Sequence, residues 1–198
     1  MNNLKIFIAG SRAITNLSTP FVERLNGICT KNHTVLIGDA NGVDKSVQAY
    51  FSNQNYSNVI VYASNGKARN NIGNWPVESV QVPEGVKGYS FYAAKDQAMA
   101  DCADYGFMLW NGVSKGTLNN IANLLSRNKK TLVFFAPHSR FYQITCFDKL
   151  KMLISCCSNG VQRIYDDQYK ESEHLQPQLS LFESTNKDTE LGAWDKSP

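Results

Sequence analysis

Five short apolar runs constrain this chain more than any other feature. They are LKIFIAG (4–10), HTVLIGD (33–39), NVIVYAS (58–64), YGFMLW (105–110) and KTLVFFA (130–136). Each is apolar on consecutive positions and rich in β-branched or aromatic residues. That pattern belongs to strands buried on both faces, as in a parallel sheet. Between the runs lie stretches with helical spacing. TPFVERLNGICTK (19–31) opens on Thr19 as N-cap and Pro20 at the first helical position, with Phe21, Leu25 and Ile28 on one face. Residues 42–53 offer Val43, Val47, Ala49, Tyr50 and Phe51 as core contacts. Residues 90–103 carry Phe91, Ala94, Ala98 and Cys102, and 115–128 make a further helix. Strands alternating with helices predict an α/β fold, a Rossmann-like parallel sheet with helices on both faces.

The rest of the chain departs from that rhythm. Residues 65–88 hold Gly66, Gly73, Pro76, Pro83, Gly85 and Gly88, with Lys67, Arg69 and Lys87 among them. They read as a long excursion with a short strand at 79–82, suited to lid a site or to make a dimer contact. FYQITCFDKLKMLISCC (141–157) has the spacing of an amphipathic helix. From about Asp166 the chain turns polar, the composition of a flexible tail. The expected division is a Rossmann-like nucleotide-ligand-binding domain over 1–137, a C-terminal helical extension over 138–165, and a tail over 166–198. A chain of 198 residues, 42% hydrophobic, suffices for one such core.

Charge and composition exclude several classes. The formal net charge is +3 with both signs interspersed, and no recognised DNA-binding motif appears, so direct DNA binding is not expected. Cys29, Cys102, Cys146, Cys156 and Cys157 form no CxxC pair, which points to free thiols in a reducing compartment. His33, His138 and His174 lie far apart and suggest no triad or metal site; His33 reads as structural and Met99 as core. The apolar run at the N-terminus is too short for a signal peptide or a membrane span. The expected setting is the cytoplasm.

In open parallel sheets, ligands bind outside the carboxyl ends of the strands. Three of those ends here are glycine-rich. IAGSR brings Gly10, Ser11 and Arg12: close backbone approach, a hydroxyl donor and a bidentate anion binder. An ordinary turn with a solvated arginine is the alternative. IGDANGVD brings Gly38, Asp39, Ala40, Asn41, Gly42 and Asp44, with Asp44 in the first helical turn, to hold a ribose hydroxyl or to cap the helix. NGVSKGT brings Asn111, Gly112, Ser114, Lys115, Gly116 and Thr117 to a helix start, where free N–H groups and two hydroxyls converge. Neither the Walker A nor the GxGxxG spacing is present. Lys95 and Asp96 lie on the helix that runs towards the third loop. Asp101 reads as a solvated acid and Asp104 as a cap of the following turn. Together the three loops predict a phosphate- or ribose-bearing ligand, with no other cofactor indicated.

IAGSR, IGDANGVDKSVQAY and NGVSKGTLNNI, in that order, resemble the SLOG superfamily of Rossmann-like proteins. That group surrounds the Lonely Guy phosphoribohydrolases and DNA-processing protein A. The likeness is to its small bacterial and phage members with a GSR start, and it covers about residues 4–137. It implies binding of a nucleotide or nucleotide-derived ligand at the three loops, often as a homodimer. The enzymatic branch carries an arginine-lysine pair on the helix before the fourth strand and a glutamate three residues after the GT. Here those positions read Lys95-Asp96 and Asn120, and the third loop is two residues longer than the family's PGGxGT. The resemblance therefore implies a sensor or sequestering protein before an N-glycosidic hydrolase. Asp44 and Asp96 are the carboxylates left to a phosphoribohydrolase-like alternative.

QLSLF (178–182) stands out in the polar tail. It resembles the bacterial sliding-clamp-binding motif, which implies partner binding through Gln178, Leu179, Leu181 and Phe182, with Gln178 in a polar site and Leu181 and Phe182 in an apolar pocket. A DNA-metabolism accessory recruited to the clamp is the third functional expectation.

Overall fold

The structure, a computed structural model, describes residues 3–169. Their strands are β1 (Lys5–Gly10), β2 (Thr34–Ile37), β3 (Val59–Ser64), β4 (Val77–Val80), β5 (Tyr105–Trp110), β6 (Thr131–Phe135) and β7 (Arg140–Ile144). Their helices are α1 (Thr19–Thr30), α2 (Val43–Asn53), α3 (Gly88–Cys102), α4 (Lys115–Leu125), α5 (Phe147–Ile154) and α6 (Asn159–Tyr169). One sheet carries all seven of these strands in the order β4-β3-β2-β1-β5-β6-β7, parallel throughout except for β7.

Alternation along the strands sorts the core into two layers. Ile6 and Ile8 of β1 pack with Phe21, Leu25 and Ile28 of α1 and with Val43, Val47 and Phe51 of α2. Phe7 and Ala9 face the other way, onto Met99 and Ala100 of α3 and Leu118 and Ile121 of α4. Phe107 stacks on Phe21 with ring centroids 4.3 Å apart, fixing α1 over β5. Burying each such ring stabilises the sheet–helix contact by roughly 1.5–3 kcal/mol.

Sheet order places the switch point between β1 and β5. From β1 the chain steps outward through β2, β3 and β4, then returns by α3 to β5 on the other side. The connections after β1 and β5 therefore diverge and leave a crevice above their carboxyl ends.

Four local expectations are corrected. The stretch 141–157 is not one helix: Arg140–Ile144 is an antiparallel strand on β6, and only Phe147–Ile154 is helical. Ser139, at φ 48°, reverses the chain after the turn at Ala136–His138 and delivers it back along the edge. Helix α6 follows, so residues 166–169 are helical and not the start of a tail; Val161 and Tyr165, one turn apart, bury it, and the Tyr165 hydroxyl donates to the Phe147 carbonyl at 3.2 Å. The N-cap of α1 is Ser18, with Thr19 already inside the helix. The strand of the excursion is Val77–Val80, two residues earlier than 79–82, because Val77 pairs with Val61 and Val80 with Ser64.

The excursion is anchored along its first half. Buried Gln48 of α2 donates from Nε2 to the carbonyls of Gly38 (2.9 Å) and Asn70 (3.2 Å) and accepts from the N–H of Ile72 (3.0 Å). Trp75 is buried, and its indole N–H donates to the Tyr56 carbonyl at 2.8 Å. Met99 is core and His33 accepts from the N–H of Leu4, as expected of both. All five cysteines are free. Among the described residues, no helix is long and apolar enough to cross a membrane. Gln178, Leu179, Leu181 and Phe182 lie outside the described residues.

Candidate functional site

β1 stops where nothing larger than glycine fits. A Cβ on Gly10 would stand 2.4 Å from the Leu109 carbonyl oxygen and 2.7 Å from the Val43 side chain. Ser11 follows, fully buried. Its N–H donates to Leu109 O (3.0 Å), its hydroxyl donates to Asn111 Oδ1 (2.9 Å), and it accepts from the Asn111 N–H (3.1 Å). Its carbonyl accepts from the N–H of Val43 at 3.3 Å. Ser11 thus clasps the ends of β1 and β5 to the start of α2. Its hydroxyl is engaged by the protein, so the expectation of a serine donor offered to a ligand gives way to a structural role. Arg12 is exposed at the rim, its guanidinium 5.8 Å from the centre of the Tyr92 ring.

The second loop closes on itself. Gly42 has φ +79°, and a Cβ there would stand 2.3 Å from the Arg12 carbonyl oxygen. Asp39 is buried and takes Arg69 on both oxygens: Nε at 3.0 Å on Oδ2, Nη2 at 2.7 Å on Oδ1, with the Arg69 backbone N–H also on Oδ2 at 3.0 Å. Burial alone would raise the Asp39 pKa, but the hydrogen bonds from Arg69 and the charges of Lys95 and Arg69 hold it below the usual carboxylate range. Asp44 is also buried and accepts from the N–H of Ala40 at 3.2 Å. Burial pushes its pKa up to about 6, with Lys95 opposing and Asp96 adding to the rise. Lys95, buried, lies 2.6 Å from Asp96 Oδ1 and 3.9 Å from Asp39 Oδ1. Burial works against its cation, and Asp96, Asp44 and Asp39 outweigh it, so its pKa is raised. Gly38 makes room for this cluster: a Cβ there would be 2.5 Å from Asp44 Oδ2 and 2.7 Å from Lys95 Nζ.

The third loop stays open. Asn111 Oδ1 accepts from the N–H groups of Val113 (3.1 Å) and Ser114 (2.9 Å), and the indole N–H of Trp110 holds the Ser114 carbonyl at 3.0 Å. Ser114 caps α4, accepting from the Thr117 N–H and from its hydroxyl, the latter at 3.1 Å. The N–H groups of Lys115 and Gly116, in the first turn of α4, have no helical acceptor. Nothing lies within 4 Å of where a Gly116 Cβ would stand.

These parts surround a cleft of about 620 Å³ at the switch point. Of the residues expected there, Gly10, Ser11, Arg12, Ala40, Asp44, Lys95, Asp96, Asn111, Ser114, Lys115, Gly116 and Thr117 line it. Gly38, Asp39, Asn41, Gly42 and Gly112 are not in its lining; they shape the loops behind it. Asn120 lines the cleft as well. Sequence reasoning missed Tyr89 and Tyr92 of α3, which complete the wall. The run YSFY (89–92) was their available signal. Tyr89 is 58% exposed and takes the amide of Asn119, whose Oδ1 accepts the Tyr169 hydroxyl at 2.6 Å. Arg69, in sequence one more basic residue of the excursion, packs over the Tyr92 ring at 4.2 Å. Among the described residues, no group of three or more His, Cys, Asp or Glu is placed to hold a metal. Outside the cleft, Asp101 pairs with Arg127, not only with water, and Asp104 accepts from the N–H of Lys5 at 2.7 Å.

The arrangement can do two things chemically. Open N–H groups at a helix start, with Arg12 and Lys115 beside them, suit an anion. Tyr89 and Tyr92 offer faces to a planar group.

No protein-family model matches the chain, and no curated protein matches it. Among solved structures, DNA processing protein A from Helicobacter pylori, described for its single-stranded DNA binding mode, superposes with a TM-score of 0.53 at 11% identity. The match covers 85% of this chain and 81% of that one. This corrects the expectation against direct DNA binding, because a protein of this architecture binds single-stranded DNA. The basic residues that are scattered in sequence are also gathered in space: Arg12 and Lys115 line the cleft, and Lys67 and Arg69 line a pocket next to it. What the chain shares with DNA processing protein A is a Rossmann-like fold.

Proposed function

We propose that the cleft binds the phosphate-bearing end of a nucleotide or nucleotide-derived ligand, and that the protein acts by holding that ligand, as a sensor or sequestering protein. The first turn of α4 carries this reading. Lys115 and Gly116, whose N–H groups have no helical acceptor, line the cleft together with Arg12, and each charge-assisted hydrogen bond to an anion there is worth about 1.5–3 kcal/mol. Holding is favoured over cleavage by the carboxylates. Asp44 is buried against the Ala40 N–H, Asp96 is paired with Lys95, and Asn120 cannot ionise.

A second reading takes the same rim as a seat for single-stranded nucleic acid. Exposed Tyr89, with Tyr92 and the two rim cations, supports it: stacking on an aromatic is worth about 1–3 kcal/mol per base and tolerates any sequence.

Titration calorimetry with the four nucleoside 5′-monophosphates tests the first reading, using Gly116→Glu as control. The added carboxylate has space and sits at a helix start, where negative charge is tolerated. Binding to the wild type that is lost in this variant, with an unchanged melting temperature, is expected. Equal affinity in both proteins, or no binding to the wild type, would overturn the phosphate assignment.

A further inference from the structure

Beside the cleft lies a second cavity of about 360 Å³ to which the three glycine-rich loops contribute only Asp39. Asp39, Ser64, Lys67, Arg69, Phe91 and Tyr92 are among its lining residues, and Tyr92 lines both cavities. We infer that this pocket is a second phosphate subsite, so that the ligand carries two phosphate-bearing nucleotide units joined across Tyr92. The inference rests on reading the first cleft as a nucleotide site.

Asp39 supplies the first reason. In dinucleotide-binding sheets an acidic residue near the end of the second strand accepts a ribose hydroxyl, and an arginine near it accommodates a phosphate instead. Here Asp39 stands two residues past β2 with both oxygens engaged by Arg69. The acid therefore serves as a mount for a guanidinium. Two of the five guanidinium N–H groups go to Asp39, and the others make no hydrogen bond to the protein among the described residues, the guanidinium lying over the Tyr92 ring at 4.2 Å. Lys67 adds a second cation, giving the pocket a formal charge of +1 with Asp39 counted.

The loop that carries these cations is held in place. Asn65 and Gly66 have φ of 54° and 72°, a tight turn that sets Lys67 at the pocket. The Asn65 N–H donates to the Val80 carbonyl (2.8 Å), its side chain accepts from the Val82 N–H (2.8 Å), and the Ser64 hydroxyl donates to the Phe91 carbonyl (2.6 Å). Phe91 and Tyr92 meet edge to face at 5.2 Å, and Arg69 lies over the Tyr92 ring at 4.2 Å. A guanidinium over a ring face, with a second cation in the same pocket on a pinned backbone, suits a phosphate with a base beside it better than a hydrated ion.

The test compares monophosphates with 5′-phosphorylated dinucleotides of the same base, and with longer 5′-phosphorylated single strands, on wild type and Lys67→Glu. Lys67 is exposed, so the variant keeps the fold. The dinucleotide is expected to bind at least about tenfold more tightly than the monophosphate, as one added charge-assisted contact allows. Lys67→Glu is expected to erase that advantage and leave monophosphate affinity unchanged. A longer strand binding no better than the dinucleotide would support the subsite with a free dinucleotide as its source. A longer strand binding more tightly, still with loss in Lys67→Glu, would support it with a nucleic-acid strand as the source. Equal affinity for one and two units, or equal weakening of both by Lys67→Glu, would overturn the second subsite while leaving the first cleft standing. Absence of any binding to the wild type would overturn both.

Discussion

The loops after β2 and β5 look alike in sequence and behave as opposites. Both follow a buried strand, both hold two glycines, and both open a helix. In the first, Gly38 and Gly42 let the protein close on itself, packing Asp39, Asp44, Lys95 and Arg69 against one another. In the second, Gly116 leaves space in front of α4, and two N–H groups stay open. Gly38 and Gly42 thus mark close approach of protein to protein, whereas Gly116 borders open space. A motif scan scores them equally; only what occupies the space beside each glycine separates them.

Substitutions can break this contrast or sharpen it. The largest effect is expected from Gly42→Ala. A side chain at φ +79° and 2.3 Å from a carbonyl oxygen combines backbone strain with overpacking, on the order of 3 kcal/mol in denaturant unfolding. Stability within 0.5 kcal/mol of wild type would mean that the second loop is as loose as the third. Gln48→Ala comes next. It removes two hydrogen bonds that tie α2 to the excursion and one to the Gly38 carbonyl, and a loss of about 2 kcal/mol is expected, with faster hydrogen exchange at Ile72.

Asp44→Asn acts through pH. The folded-state pKa of Asp44, about 6, lies above its ordinary 3.8. A raised acid makes its contribution to stability in full below 3.8 and loses it as pH rises through 6, because the folded state binds more protons. Asp39 has the opposite sign: its lowered pKa gives stability that is present above the ordinary value and lost on acidification. The wild type is therefore expected to lose melting temperature between pH 4 and 6 relative to Asp44→Asn, and parallel profiles would refute the assignment. The smallest stability effect belongs to Gly116→Glu, within about 0.5 kcal/mol of wild type, although ligand binding is expected to fail there. A destabilisation comparable to that of Gly42→Ala would show the third loop to be closed like the second.

The fold was legible because it is written in consecutive residues. Five of the seven described strands are the five apolar runs, and four helices fall between them. β7 was missed because Phe141, Ile144 and Phe147 repeat at a spacing that suits a helical face, while the reversal at Ser139 that makes a strand of 140–144 leaves no hydrophobic mark. α6 was missed because Val161 and Tyr165 are its only buried residues. Most of the cleft lining was legible through glycines and hydroxyls. Arg69 was not, because its pairing with Asp39 spans 30 positions and has no local signal. The charge of the site was hidden for the same reason: cations far apart along the chain meet only when the sheet forms.

The Ser11–Asn111 clasp joins residues 100 positions apart. Contacts of such separation form late, since the long loop between them must close before any reward is collected. The crevice at the switch point thus does not exist in a chain that has folded only its first three strands. A ligand seated there recognises the completed sheet alone, and it raises apparent stability with the logarithm of its concentration. Occupancy of the site would then report how much of the protein has finished folding.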